Sequence, residues 1–267
     1  MSLHLTEHHR DADESVIFLH GGNVAGWMWE EQVAALAGHH CLVPDLPGLG
    51  GSARHPWADL ATTADEVAGI VRERAHGGRA HVVGLSLGGI VGITLAACHP
   101  DVVRSAFVTG ALLRGVRGPA RWAGLAQLPF WGSPGYWKGL ARAYRIPAES
   151  VELFVRTGLG IDRDSARRMV PEIYDGAPAA HLDGLRRLDT PVLAIAGEKE
   201  PRTFRDSLAE VTTRAPHAVA RLAPGMHHVW SIEDPDLFHT ALSHWLSTAT
   251  PPPTLLPLPQ PQPQPRT

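Results

Sequence analysis

Cysteine is scarce in this sequence: Cys41 and Cys98 are the only two among 267 residues. Two thiols do not make a disulfide framework, and both lie in apolar segments, so buried free thiols are expected. Long hydrophobic runs are missing too. No stretch of about 18 apolar residues is available to cross a bilayer, and residues 1–10 carry histidines and charges where a secretory leader needs an apolar run. Charge of one sign is also lacking. The formal net charge is −3, from 24 Lys and Arg against 27 Asp and Glu, and no basic stripe draws nucleic acid or an anionic membrane surface. His227-His228 has neither the helical i, i+4 nor the Cys-x-x-Cys spacing of a metal site. The expectation is a soluble, cytoplasmic protein with no metal, no cofactor and a small molecule as its partner.

What is present is the composition of a globular chain, 44% hydrophobic and 19% charged. Short apolar runs at residues 15–20, 40–45, 80–85, 102–109, 191–196 and 218–222 read as strands, each ending in turn residues. Helical spacing lies between and after them, at 29–36, 60–74, 86–98, 204–214 and 235–246. Strands apolar on both faces, alternating with helices, predict an α/β fold: a mostly parallel central sheet with helices on both faces. The sheet domain is expected to take residues 1–111 and 188–249. Residues 112–187 show no clear strand and are crowded with proline, glycine and aromatics. So long a stretch does not belong in a compact domain as a bare loop, and a helical lid inserted over the sheet is expected. Residues 250–267, dominated by proline, are expected to form a disordered, extended tail.

Gly84-Leu85-Ser86-Leu87-Gly88 follows an apolar run and opens a helix. That context makes Gly-x-Ser-x-Gly a nucleophile turn, because side chains at the flanking positions would collide with neighbouring elements. The same glycines carry no Lys-Ser/Thr pair, which excludes a phosphate-binding loop. A serine hydroxyl is a weak nucleophile and needs a base. His227 and His228 lie in the loop after the last strand and before the last helix, within reach of a serine at the end of a parallel strand. The loop Gly197-Glu198-Lys199-Glu200 offers two carboxylates to orient the base. The backbone N–H groups of Leu87 and Gly22 are the expected oxyanion donors. His20 is read as holding its turn and Asp45 as bracing a loop. Trp27, Trp131, Trp137 and Trp230 are candidate walls for an apolar substrate pocket.

At these residues the sequence resembles the α/β-hydrolase superfamily across residues 15–247. The resemblance rests on four blocks in the family's order: His20-Gly21-Gly22 with Trp27 and Trp29, Asp45-Leu-Pro-Gly48, Gly84-Leu-Ser-Leu-Gly-Gly89, and His228 with Glu233 and Pro235. It implies Glu200, third after the glycine, as the acid. It also implies His228 as the base, with His227 standing where the family usually has glycine. The expected activity is hydrolysis of an ester, thioester or lactone through an acyl-enzyme on Ser86. Acyl transfer, cyclisation and C–C cleavage would use the same three residues, and a ligand-binding protein on a retained scaffold is the alternative of another class.

Overall fold

The computed structural model describes residues 2–259. The six apolar runs form six parallel strands: β2 (Ser15–Leu19), β3 (His40–Pro44), β4 (Ala80–Leu85), β5 (Val103–Thr109), β6 (Val192–Gly197) and β7 (Ala218–Ala223). Two short strands extend the sheet at its edges, β1 (Leu5–His8) and β8 (Leu256–Pro257), giving the order β1-β3-β2-β4-β5-β6-β7-β8. Both edge strands pair antiparallel, β1 with β3 and β8 with β7. The tail is therefore not disordered from residue 250. Leu255 is buried, and Leu256 and Pro257 lie opposite Leu222 and Arg221. Leucine between the prolines supplies the apolar anchor, and an edge strand tolerates proline because only one of its sides needs N–H donors. The remainder of the expected tail, residues 260–267, lies outside the described residues.

Helices fill the connections: α1 (Glu30–Ala35), α2 (Leu60–Arg74), α3 (Leu87–Cys98), α4 (Pro119–Leu125), α5 (Pro134–Ala143), α6 (Val151–Leu159), α7 (Arg163–Asp175), α8 (Ala179–Gly184), α9 (Arg202–Thr212), α10 (Trp230–Glu233) and α11 (Pro235–Thr248). The period of two along each strand divides the core. On β5, Val108 faces Gly92 of α3, together with Val82 and Leu19, while its neighbour Phe107 turns to the other face. There Phe18, Trp29, Phe107, Trp230 and Phe238 stack with ring centroids 4.6–6.3 Å apart. Cys41 is buried as expected, but Cys98 is exposed at the last turn of α3, where the helix rotates it away from the sheet.

Residues 119–187, between β5 and β6, form a series of short helices joined by turns and contain no strand. They pack on the sheet domain through a clasp around Trp57, which is fully buried. Ser165 Oγ accepts from Trp57 N at 2.9 Å, Arg168 Nε donates to Trp57 O at 2.6 Å, and Trp57 Nε1 donates to Glu172 Oε2 at 2.9 Å. Asp162, the N-cap of α7, accepts from Ser165 N at 2.7 Å while its own N–H donates to Gly48 O. Burial holds the Glu172 carboxyl above its ordinary range.

Candidate active site

Parallel strands bring their carboxyl ends to one edge of the sheet, and every predicted chemical group emerges there. Ser86 sits between β4 and α3 at φ 55° and ψ −114°, a strained backbone for a residue with a side chain. Sterics impose the flanking glycines. A Cβ on Gly84 would strike Gly88 O, and one on Gly88 would strike Leu19 O. The Ser86 N–H donates to Thr109 O at 2.9 Å, which ties the turn to β5.

His228 and Glu200 meet from two loops, after β7 and after β6. His228 Nδ1 lies 2.5 Å from Glu200 Oε1. The carboxyl's other oxygen, Oε2, accepts from Gly197 N at 2.6 Å, and Glu200 is only 4% exposed. The pair is thus held from both sides, and Nε2 of the imidazole has no hydrogen-bond partner among the described residues. Gly110, at φ 61°, makes room for the ring, since a Cβ there would come within 2.9 Å of His228 Cε1. This glycine went unnoticed in the sequence, where nothing ties it to a histidine more than a hundred residues away.

The rival groups are engaged elsewhere. Glu198 is exposed and accepts from Gly225 N at 2.7 Å, bridging two loops. His227 Nδ1 lies 2.9 Å from Glu233 Oε1, and its own N–H donates to Glu233 Oε2 at 2.9 Å. Arg145 Nη1 adds a third contact to Glu233 at 2.7 Å. Burial works against the Glu233 charge, but these donors and charges together hold its carboxyl below the ordinary value. His20 is fully buried between Gly21 O, 2.8 Å from Nδ1, and the N–H of Leu46, which donates to Nε2 at 2.9 Å. That pattern requires the neutral tautomer with the proton on Nδ1, and burial lowers the ring's pKa accordingly. Asp45 accepts from Gly26 N and Gly51 N, each at 2.7 Å, so it braces two turns.

A cavity of about 460 Å³ opens on this edge, and Ser86, His228 and Gly22 are all in its wall. Ser86 and His228 are joined by that shared wall rather than by a formed hydrogen bond among the described residues, a looseness common before substrate binds. Leu87 begins α3 directly after the serine. Of the four tryptophans expected as walls, only Trp131 lines the cavity. Trp137 is fully buried inside the helical segment against Trp131 and Phe154. Trp230 lies beneath the sheet edge, with Nε1 donating to Thr109 Oγ1 at 2.7 Å. Trp27 donates to Thr157 Oγ1 at 3.0 Å and faces a separate hollow beside Val43. The other rings that face the site are Tyr144, Tyr174 and Phe204. Phe204 and Tyr144 flank the imidazole at centroid distances of 5.1 and 6.0 Å. Tyr144 OH accepts from Asn23 Nδ2 at 3.3 Å, and burial pushes its phenol up to about 12. Among the described residues, no group of three or more His, Cys, Asp or Glu is placed to hold a metal, and no helix is long and apolar enough to cross a membrane.

The alpha/beta hydrolase family model matches residues 16–241. An AB hydrolase superfamily protein of Gibberella zeae is 28% identical, over 90% of this chain and 82% of its own. A pimeloyl-[acyl-carrier protein] methyl ester esterase of Aeromonas hydrophila is 26% identical, over 86% and 94%. Among solved structures, a thermophilic esterase from Thermogutta terrifontis superposes with a TM-score of 0.73 at 20% identity, over 92% and 93% of the two chains.

Proposed function

The chain belongs to the alpha/beta hydrolase family, and from that premise we propose that it cleaves an ester, thioester or lactone of a small, apolar substrate through an acyl-enzyme on Ser86. The observation that carries this reading is the contact of 2.5 Å between the buried Glu200 and His228, whose ring lines the same cavity as Ser86. Ser86 Oγ attacks the carbonyl carbon as His228 Nε2 takes its proton. The oxyanion is met by the N–H groups of Leu87 and Gly22. His228 then returns the proton to the leaving oxygen or sulfur, and water, activated by the same ring, releases the acid. Glu200 holds the imidazole by its Nδ1–H and stabilises the imidazolium that forms.

Residues 112–187 act as the lid in this reading. They supply Leu112, Val116, Trp131, Val170 and Ile173 to the cavity, an apolar roof over a polar floor. Apolar walls with a few convergent polar groups suit a small acyl chain. The pimeloyl ester esterase and the Thermogutta esterase support ester chemistry by their similarity.

Labelling with a fluorophosphonate, read by intact mass, tests the proposal. One adduct on the native chain, lost in Ser86→Ala, is expected. An adduct that persists in the variant, or ester turnover at the native rate by Ser86→Ala, overturns it.

A further inference from the structure

A second hollow, of about 720 Å³, adjoins the first. Val116, Ala120 and Thr203 belong to the walls of both, so the two hollows abut at these residues. Their chemistry differs. The first is mostly apolar, whereas the second is lined by Arg114, Arg117 and Arg121, with Asp175 and Asp206.

The carboxylates pair with only one of these three arginines. Asp175 is engaged by Arg121, with Nε to Oδ1 at 2.6 Å and Nη2 to Oδ2 at 3.0 Å. Asp206 faces Arg202 Nε at 3.5 Å. Arg114 and Arg117 are exposed, and among the described residues neither has a carboxylate within 4.0 Å. Two guanidinium groups without an ion-pair partner among the described residues therefore line this hollow, in a chain whose net charge is −3. Their backbone is fixed: Arg114 N donates to Ser207 Oγ at 3.1 Å, and Val116 N donates to Tyr174 O at 2.8 Å. A planar guanidinium fork presents paired N–H donors that match the oxygens of a carboxylate or phosphate.

We propose that the arginine-lined hollow is a subsite for an oxyanion, a carboxylate or a phosphate, carried on the far end of the substrate whose acyl bond lies at Ser86. The inference rests on the hydrolase reading and narrows its substrate class. The favoured molecule is then an amphiphile, apolar near the scissile bond and anionic at the end that reaches outward.

The test uses two matched pairs of compounds. The first is a monomethyl ester of an unbranched dicarboxylic acid against the same ester ending in a carboxamide. The second is an acyl thioester of pantetheine with and without a terminal phosphate. A kcat/KM about tenfold higher for the anionic member of one pair is expected, because two exposed ion pairs together supply roughly that factor. The preferred pair identifies the oxyanion. In Arg114→Gln/Arg117→Gln the anionic-to-neutral ratio falls towards one, and in wild type it also falls with added salt. Equal rates within both pairs, or a ratio that the double variant retains, overturns the subsite. Calorimetric binding of the four compounds to Ser86→Ala, with and without the two Arg→Gln changes, reads the subsite apart from turnover. Arginine-dependent binding without hydrolysis by wild type would sink the hydrolase reading and leave the subsite standing. Neutral esters hydrolysed with no arginine-dependent binding would do the reverse.

Discussion

The sheet domain and the helical segment over it hold their side chains by different means. In the sheet domain the chemical groups stand in loops at strand ends and are fixed by short, buried hydrogen bonds. Gly197 N holds Glu200, Leu46 N holds His20, and Gly26 and Gly51 hold Asp45. In residues 119–187 the helices are short, α4 buries no residue fully, and Trp122 and Phe130 are 70% and 59% exposed. One fastening of that segment is the grip of α7 on Trp57. The difference separates two tasks. Groups whose proposed chemistry tolerates little displacement stand at strand ends, while much of the cavity's apolar wall comes from the helical segment.

Substitutions at the strand-end pair of His228 and Glu200 should break activity and those at the clasp between the two regions should alter stability, in descending size. His228→Ala is expected to lower kcat/KM by about 10³-fold or more, whereas His227→Ala should cost less than about tenfold, since its ring is already committed to Glu233. Steady-state ester hydrolysis decides, and the opposite ranking would exchange the two roles. Next comes Glu200→Gln, which keeps the shape of the pair but loses its charge. A fall of about 10³–10⁴-fold in kcat is expected, against little change for Glu198→Gln; equal losses would mean that the buried contact to His228 is idle.

Smaller still is the clasp. Trp57→Phe removes one donor and leaves Glu172 half-buried without it, for a loss of about 1–3 kcal/mol in urea unfolding. An unchanged midpoint would show that α7 is held by other contacts.

The smallest effect is on pH, and its sign should differ between the two regions. His20 has a pKa lowered from 6.5 by burial. Below about pH 6.5 the unfolded chain takes up a proton that the folded chain refuses, so the sheet domain loses stability as pH falls. Glu172 has a pKa raised from 4.5, chiefly by burial. Its contribution is fully present below about pH 4.5 and is lost as pH rises through the raised value. Glu172→Gln keeps an acceptor for Trp57 and does not ionise. It should therefore raise Tm over wild type by roughly 1–2 °C at pH 7.5, discounted for its half exposure, and by nothing at pH 4. A gain that is equal at both pH values would rule out titration as its cause.

Six parallel strands were legible because each is a run of apolar residues long enough to need burial on both faces, as in residues 80–85. The edges were not. Leu-Thr-Glu-His at β1 and Leu-Pro at β8 become strands only because β3 and β7 offer them partners. The serine could be read locally, since strand, glycines and helix are contiguous. Its partners came from resemblance, and two residues separate Glu198 in solvent from the buried Glu200, a distinction that depends on how the loop folds back on Gly197. The tryptophans misled for a physical reason. The largest apolar side chains go where most area is removed from water, so Trp137 and Trp230 became core, and tyrosines with a polar end were left at the cavity.

The pairing of Leu256 and Pro257 with β7 has a consequence for the molecule in crowded solution. An open sheet edge is a template on which a neighbouring chain can add itself, and β7 would present one. Leu256–Pro257 covers that edge at Leu222 and Arg221, and Pro257 offers no N–H for a further strand to use. A chain trimmed after residue 249 should bare Arg221 and Leu222 at that edge and scatter more light on concentration than the full chain.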